Sequence, residues 1–357
     1  MKQDHKELFE KSKNEFLSQG FSIARVISEH KELYTILVDG KEIKAEVTGK
    51  LMYTAESRKD FPVVGDWAAV QLYDENSPAI IHGILPRTMI LSRKSAGKAF
   101  EEQILASNVE IVFVVHSLDE RFNLRSLERY AVVVKESGAV PVILLSKSDL
   151  IDEQTCSTSV REAGIVLPDV QVIPYSAKNG THIEEIRSLI KKDITVCFVG
   201  PSGAGKSTLI NTLTGKNLLP TQKIREGDSK GRHTTTHRQL IVLPNGGFVI
   251  DTPGMRELGL WHVGDISIND AFPEIIELGS SCRFNDCSHV HEPGCTVLQA
   301  VAEGMLTRER YDSYIKLRKE AEYVASKTDV LKQQERKAKE RLLHKDLDII
   351  MKLKNKR

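Results

Sequence analysis

The feature that most constrains the fold of this chain is a glycine-rich segment, GPSGAGKST, at residues 200–208. It matches the pattern G-x-x-x-x-G-K-[ST] at every position, between an apolar strand-like run and an apolar helical pattern. Its members are Gly200, Pro201, Ser202, Gly203, Ala204, Gly205, Lys206, Ser207 and Thr208. Glycines let the backbone wrap phosphate oxygens, and the helix N-terminus adds positive potential. The segment predicts nucleotide binding, with Lys206 on the β- and γ-phosphates and the Ser207 hydroxyl on Mg²⁺.

From about residue 101 the chain alternates apolar runs with helical patterns, which is typical of a strand buried on both faces followed by a helix. The predicted strands are Ile111–Val115, Val140–Leu145, Val172–Ile173, Thr195–Val199, Leu240–Leu243 and Phe248–Ile250. The predicted helices are Leu124–Ser137 and Ile183–Ile190. This alternation predicts a doubly wound parallel α/β sheet.

The first part of the chain reads differently. Residues 1–19 predict a short polar helix, and the next 70 or so residues carry short alternating runs around an Asp39-Gly40 hairpin turn. Five strands are predicted: Tyr34–Val38, Ile43–Val47, Val63–Val64, Trp67–Leu72 and Ile80–Leu85. This spacing favours a small all-β barrel of the OB type, although an SH3-like barrel would look similar.

Composition sets the outer limits. The chain has 357 residues, 40% of them hydrophobic, which suits two or three globular domains. No apolar stretch is long enough for a transmembrane helix and the N-terminus does not read as a secretory signal, so we expect a cytoplasmic protein. Fifty basic residues against 49 acidic ones mean that any nucleic-acid affinity must come from local patches.

A second phosphate-linked motif, Asp251-Thr-Pro-Gly254, follows a predicted buried strand. Asp251 is predicted to hold Mg²⁺ through water, and the Gly254 N–H to meet the γ-phosphate. The loop before it, residues 231–237, is rich in hydroxyls and basic groups. Either Thr234 or Thr235 is a candidate second Mg²⁺ ligand, although a solvated loop would also explain this composition.

Guanine-binding motifs lie before the phosphate loop rather than after it. The motif at the end of strand 140–145 is Ser146, Lys147, Ser148 and Asp149, and a second short loop is Ser176, Ala177 and Lys178. Asp149 is predicted to accept hydrogen bonds from guanine N1–H and the 2-amino group, which adenine does not offer. Lys147 would lie along the base, and the Ala177 N–H would meet the guanine oxygen. This order is a circular permutation of the usual GTPase order, which neighbouring chain termini make acceptable.

Three cysteines and two histidines fall within fourteen residues, at Cys282, Cys287, His289, His291 and Cys295. Soft sulfur and nitrogen ligands in tetrahedral number suit a structural Zn²⁺. Spacing alone leaves His289 and His291 as alternatives for the fourth ligand. Reduced, unliganded cysteines are the plain alternative.

The motifs together resemble the RsgA family (also called YjeQ or YloQ), circularly permuted GTPases of bacterial small-ribosomal-subunit maturation. The resemblance covers about residues 20–320. It is carried by Phe61–Trp67, Phe122–Arg129, the permuted motif order, Gly231–Thr236 and the Cys/His cluster. It implies an N-terminal OB barrel, a central permuted P-loop GTPase and a C-terminal zinc-binding module with a helical tail. The predicted boundaries are 1–19, 20–92, 93–260, 261–325 and 326–357.

The resemblance also implies the activity and its partner. The chain would hydrolyse GTP to GDP and phosphate with Mg²⁺, stimulated by the small ribosomal subunit, during late assembly of that subunit. The family pattern selects Cys282, Cys287, His289 and Cys295 as ligands of one structural Zn²⁺. It also points to His233, with His237 second, as the group that orients water. We expect a monomer that binds rRNA but neither DNA nor membrane.

Two departures from pattern leave a second function open. Ser146 stands where the family usually has Asn, which predicts weaker guanine affinity, and Met255 stands where conventional small GTPases place a water-orienting Gln. An rRNA-binding scaffold that uses GTP as a structural ligand would tolerate both. An ATPase is a third reading, against which Asp149 argues. Residues 221–238 and the tail 327–357 are basic; for the tail alone, a solvated charged face is an equal alternative.

Overall fold

A computed structural model describes residues 2–30, 33–73, 77–94, 102–119, 122–219, 238–251, 268–269 and 271–326. The chain forms two compact units, residues 1–96 with 101–259 and residues 97–100 with 260–357. The five-part domain division stays a prediction.

The helices are α1 Lys2–Ser18, α2 Gly49–Thr54, α3 Leu124–Glu136, α4 Glu153–Val166, α5 Ile183–Leu189, α6 Lys206–Thr214, α7 Pro273–Gly279, α8 Thr296–Ala302 and α9 308–326. The first strands are β1 Ser22–His30, β2 Leu33–Val38, β3 Lys41–Val47, β4 Trp67–Gln71, β5 Ala79–Ile84, β6 Ile90–Lys94 and β7 Glu102–Ser107. The later strands are β8 Ile111–Ser117, β9 Val140–Ser146, β10 Gln171–Pro174, β11 Thr195–Val199, β12 Gln239–Val242 and β13 Phe248–Asp251.

The first five strands form a closed barrel in the order β1-β2-β3-β5-β4, with β4 pairing back to β1. All of these pairs are antiparallel except β3 and β5, which are parallel. Asp39 and Gly40 both have positive φ, as the predicted hairpin turn requires. Alternate residues of the strands, among them Tyr34, Ile36 and Val38, fill the interior. The predicted OB-type barrel is confirmed.

One predicted barrel strand is wrong. Val63 and Val64 are buried, but their backbone forms a turn, in which Asp66 accepts a hydrogen bond from the Val63 N–H at 2.8 Å. Gly65, with φ +94°, ends the turn against the Ser107 carbonyl, where a Cβ would lie 2.2 Å from the oxygen. The true fifth strand is β1, whose alternation is broken by a register shift between Val26 and Ser28.

Helix α1 covers part of the barrel with aromatic side chains. Phe9 packs edge-on against Trp67 at 6.4 Å between ring centroids, and Phe16 against Phe21 at 6.0 Å. Phe16 also lies over Gly83, where a Cβ would meet its ring at 3.1 Å. The predicted polar N-terminal helix therefore forms and packs through its few aromatic residues.

The second sheet has the order β10-β9-β8-β11-β13-β12, with all pairs parallel except β12–β13. Alternate residues of β8 face opposite sides of the sheet, and all but Ile111 are buried. On one side, Phe113 and Val115 pack with residues of α5 and α6, such as Ile186 and Leu209. On the other side, α3 packs against β8 and β9. Burial on both faces confirms the predicted doubly wound sheet. Helix α4 and the β6–β7 hairpin were not predicted.

Barrel and sheet are joined within the first unit. Ser28 of β1 pairs with Gln239 of β12, so the two sheets are continuous. Arg25 of β1 donates to the Asn108 carbonyl and to the Thr195 hydroxyl, each at 2.9 Å. Burial lowers the pKa of Arg25 to about 10, which the charges of Glu110 and Asp66 oppose. Because Thr195 begins β11, this contact ties the barrel to the strand that leads into the phosphate loop.

The second unit has a small core of its own. Phe272, Val297, Leu306 and Tyr314 are among its buried side chains, and the Phe272 and Tyr314 rings meet edge-on at 5.5 Å. The helix predicted from about residue 307 is present as α9 over 308–326, the part of the tail that is described. None of the helices in the described part of the chain combines the length and apolar character needed to cross a bilayer.

Candidate functional site

The predicted nucleotide residues meet at one edge of the parallel sheet. The phosphate loop follows β11, the motif 146–149 follows β9, residues 176–178 follow β10, and Asp251 ends β13. Since these strands are parallel, their carboxyl ends lie at the same edge, where open α/β sheets bind ligands. Residues as far apart in the sequence as Ser146 and Asp251 thus lie at one edge of the sheet.

The phosphate loop has the backbone that its glycines predict. Gly200, Gly203 and Gly205 have φ of +134°, +75° and +97°. At Gly200 a Cβ would lie 2.1 Å from the Val115 carbonyl oxygen, so only glycine fits beside β8 there. Lys206 Nζ donates to the carbonyl oxygens of Gly200 and Pro201, both at 2.7 Å. The lysine ammonium therefore lies over the loop, at the N-terminus of α6.

The two guanine motifs contact each other. Ser176 Oγ donates to Asp149 Oδ1 at 2.7 Å and accepts from the Asn179 N–H at 3.2 Å. The Ser148 N–H donates to the Tyr175 carbonyl at 3.2 Å. The Asp149 carboxylate is thus held in place by Ser176 of the second motif, and Ala177 follows Ser176 in the chain.

Lys147 is oriented by a residue that the sequence analysis did not single out. Lys147 has a left-handed backbone, with φ +62°, and its Nζ lies 2.9 Å from Asp119 Oδ2. Asp119 also accepts from Ser117 Oγ at 2.9 Å. Asp119 follows β8, so a carboxylate after a predicted strand was the available clue.

Asp251 lies next to the phosphate loop. Burial raises the pKa of Asp251 to about 6, and the nearby Lys206 ammonium opposes that shift. A half-buried carboxylate is a hard oxygen ligand of the kind that Mg²⁺ prefers, and the Ser207 hydroxyl of the phosphate loop stays a predicted second ligand.

The two switch segments fall outside the described residues. His233, Thr234, Thr235, Gly254 and Met255 therefore stay predictions, as does the basic tail 327–357.

The four predicted zinc ligands come together in the second unit. One ligand atom each from Cys282, Cys287, His289 and Cys295 lies within 4.8 Å of the others. His289 Nδ1 lies 3.6 Å from Cys282 Sγ and 3.4 Å from Cys295 Sγ. His291, the alternative by spacing, is exposed and is not part of the cluster. Three thiols and one imidazole nitrogen at these distances fit a tetrahedral Zn²⁺.

Neighbouring side chains hold the histidine loop of this cluster. Glu292 accepts hydrogen bonds from the Ser288 N–H at 3.0 Å and from the Val290 and His291 N–H groups, both at 3.1 Å. Its carboxylate therefore fixes the turn in which His289 has a left-handed φ of +61°. Tyr311 donates from its hydroxyl to the His289 carbonyl at 2.8 Å. Sequence reasoning missed both residues, because neither is a ligand.

Comparisons with protein families agree with this geometry. The family model described as RsgA GTPase matches residues 84–261, and one described as 50S ribosome-binding GTPase matches residues 195–351. A small ribosomal subunit biogenesis GTPase RsgA from Opitutus terrae is 43% identical over 323 residues, covering 88% of this chain and 87% of the relative. The RsgA 2 protein of Lactiplantibacillus plantarum, with the same description, is 45% identical over 304 residues, covering 85% and 84%.

Solved structures are similar as well. The crystal structure of YjeQ from Thermotoga maritima matches with a TM-score of 0.61 and 27% identity, covering 84% of this chain and 98% of that one. The structure of YloQ, described as a circularly permuted GTPase, matches with a TM-score of 0.60 and 25% identity, covering 85% and 95%. The permuted order of the motifs in this chain agrees with that description.

Proposed function

The chain belongs to the RsgA family of GTPases, and from that premise we propose that it hydrolyses GTP to GDP and phosphate in small ribosomal subunit biogenesis. The observation that carries this proposal is the meeting of Asp149, Ser176 and the phosphate loop at one sheet edge. A guanine-selective acceptor beside a phosphate cradle is what GTP requires and what ATP does not satisfy.

Each side chain at this edge has a proposed role. Lys206, with the N–H groups of the loop 200–208, would bind the β- and γ-phosphates. Ser207 and Asp251 would hold Mg²⁺, which supplies charge neutralisation when bound. Asp149 would accept the guanine N1–H and 2-amino hydrogens, and the Ala177 N–H would donate to the guanine oxygen. Lys147, held by Asp119 at 2.9 Å, is pre-oriented to lie along the base.

Water activation is the step that these residues do not supply. Met255 stands at the position where a conventional small GTPase carries a Gln, and a thioether cannot orient water. We assign that task to His233, with Thr234 or Thr235 as a second Mg²⁺ ligand and the Gly254 N–H on the γ-phosphate. A partner that positions the switch segments would then stimulate hydrolysis.

We further propose that the Cys/His cluster holds one structural Zn²⁺, since its donor set is closed by four protein ligands. The printed names of the relatives point to the small ribosomal subunit as the partner. The barrel, the zinc module and the basic residues 221–238 would contact rRNA. The protein would act as a cytoplasmic monomer without DNA or membrane contacts.

The test is GTP hydrolysis by the full chain alone, with small subunits and with large subunits. We expect strong stimulation by small subunits only, and none for Lys206→Ala. Stimulation by large subunits instead would indicate that the partner is the 50S subunit, which the description of the second family model names. Turnover unchanged by either subunit would contradict the ribosomal role and would favour the scaffold function.

A further inference from the structure

We propose that the hydroxyls of Tyr175 and Ser146 act as one unit that fixes the phosphate loop to the guanine-binding edge, which makes Tyr175 a positioning residue for nucleotide binding. This inference rests on the proposed function, because it deepens the account of the same site. It concerns how the loop is held rather than which residues touch the nucleotide.

The first observation is a direct bond between the two motifs. Ser146 ends β9 and is 2% exposed, and its Oγ donates to the Ala204 carbonyl of the phosphate loop at 2.6 Å. Ala204 is itself buried, so this carbonyl has no water to accept from if the hydroxyl is removed. The bond spans 58 residues and joins β9 to the loop that follows β11.

The second observation is that Tyr175 brings another hydroxyl to the same point. Tyr175 is 1% exposed, and its N–H donates to the carbonyl of Leu145 in β9 at 2.8 Å, while its carbonyl accepts from the N–H of Ser148 in the guanine motif at 3.2 Å. A Cβ built on Gly205 would lie 3.7 Å from both Tyr175 OH and Ser146 Oγ. The two oxygens therefore converge beneath the residue that precedes Lys206.

The third observation is that the Tyr175 hydroxyl is otherwise unused. Among the residues that the structure describes, no group completes a hydrogen bond to it with good geometry. Burial raises the pKa of Tyr175, and the neighbouring Ser146 hydroxyl opposes this shift. A buried hydroxyl without a partner is costly, so its position beside Ser146 needs a reason.

The chemistry supplies that reason. A serine hydroxyl that donates to Ala204 O still has lone pairs free to accept from a second hydroxyl. A small rotation of the tyrosine O–H would complete a chain from Tyr175 through Ser146 to the Ala204 carbonyl, in which each bond strengthens the next. An Asn at position 146 would offer a larger amide instead.

The test is a cycle of variants in the full chain, with GDP affinity measured by displacement of a fluorescent GDP analogue. We expect Ser146→Ala to weaken GDP binding about tenfold and Tyr175→Phe about fivefold. In the double variant the tyrosine change should add less than about twofold, because the chain is already broken. Tyr34→Phe, in an equally buried barrel tyrosine, is the matched control and should leave GDP affinity unchanged.

Two further readouts separate positioning from general stability. Guanosine, which lacks phosphates, should bind Tyr175→Phe as it binds the parent chain, whereas a merely structural role would weaken guanosine and GDP equally. The single variant Ser146→Asn should bind GDP more weakly, because the larger side chain overpacks the site. GDP affinity should recover in the double variant Ser146→Asn/Tyr175→Phe, which removes the tyrosine hydroxyl.

The outcomes are decisive in each direction. Full GDP affinity in Tyr175→Phe, or equal effects of that change with and without Ser146, would overturn the inference while leaving GTP hydrolysis in place. If Tyr175→Phe alone does not fold, the double variant Ser146→Asn/Tyr175→Phe takes its place. GDP binding by that double variant no better than by Ser146→Asn would then overturn the inference. Failure of the parent chain to bind GDP would instead refute the proposed function.

Discussion

The nucleotide edge and the Cys/His cluster both hold a set of binding residues together, but they do so by different means. At the nucleotide edge, strands such as β8 and β11 are buried on both faces and hold the loops that follow them. In the second unit, two of the four predicted metal ligands, His289 and Cys295, are themselves buried. The difference teaches that strands position the site in the first unit, whereas in the second unit two members of the Cys/His cluster are part of the packing themselves.

Metal removal should have the largest effect, and that effect should be confined to the second unit. Structural zinc contributes about 10–16 kcal/mol to folding of small domains, which matches or exceeds the total stability of most domains. We expect a chelator to abolish hydrogen-exchange protection over 271–326 and to leave protection of 111–199 and GDP affinity unchanged. Cys156→Ser should keep its zinc, whereas Cys282→Ser should not. Persistent protection of 271–326 without metal would contradict the proposed structural role.

Lys206→Ala should have the next largest effect, confined to the other region. Loss of a charged hydrogen-bond donor to phosphate costs up to about 3 kcal/mol, so GDP affinity should fall about 100-fold. Zinc content and the unfolding midpoint should stay those of the parent chain. Lys216→Ala, at an exposed lysine after α6, is the control. Retained affinity in Lys206→Ala would mean that the loop binds phosphate through its backbone alone.

Glu292→Ala should lower the zinc affinity of the Cys/His cluster in the second unit. Removing the carboxylate frees the turn around His289, and loss of such supporting groups lowers metal affinity about tenfold or more. Competition with a zinc-binding dye measures this directly, with the exposed Glu309→Ala as control. An unchanged zinc affinity would show that the four ligands hold the loop without help.

Asp251→Asn should produce the smallest effect, and one that depends on pH. The folded pKa of Asp251 is raised from 3.8 to about 6, so the buried carboxylate destabilises the folded chain once it is ionised. This cost is absent below the unfolded pKa and complete above about pH 6. We expect the nucleotide-free variant to melt a few degrees higher at pH 8, with a smaller gain at pH 5.

The control for this prediction is Asp169→Asn, an exposed aspartate on the same unit. Its melting temperature should follow the parent chain at both pH values. A gain for Asp251→Asn that is equal at pH 5 and pH 8 would rule out the ionised carboxylate as its cause.

Where sequence reasoning succeeded, a local pattern and the global fold agreed. The family, the fold class and the GTPase assignment are confirmed. They rest on motifs such as residues 200–208, whose function can be predicted from the local sequence. The four predicted metal ligands lie together, as the Cys-x4-Cys-x-His-x5-Cys pattern requires, and their binding of a metal stays a prediction. The roles of the individual site residues stay predictions.

Where it failed, a tertiary contact overrode the local pattern. Val63 and Val64 have the composition of a strand, but Asp66 and Gly65 hold them in a buried turn. In β1, the charged Arg25 is buried and the register shifts between Val26 and Ser28, so polar and apolar residues do not alternate as they do in a regular strand. Tyr175 lies beside the phosphate loop, which is distant from it in the sequence, and Glu292 supports the cluster without being one of its predicted ligands. Motif spacing identifies neither residue.

The strand order has a consequence for synthesis of the chain. The three strands β8, β9 and β10 emerge first and form half of the sheet, and β11, β13 and β12 emerge later and form the other half. A nascent chain that ends just after Lys178 thus carries both guanine motifs but leaves the edge of β8 unpaired, which is a hazard for aggregation. The Ser146–Ala204 bond crosses this seam, so it forms only when the second half has docked on the first.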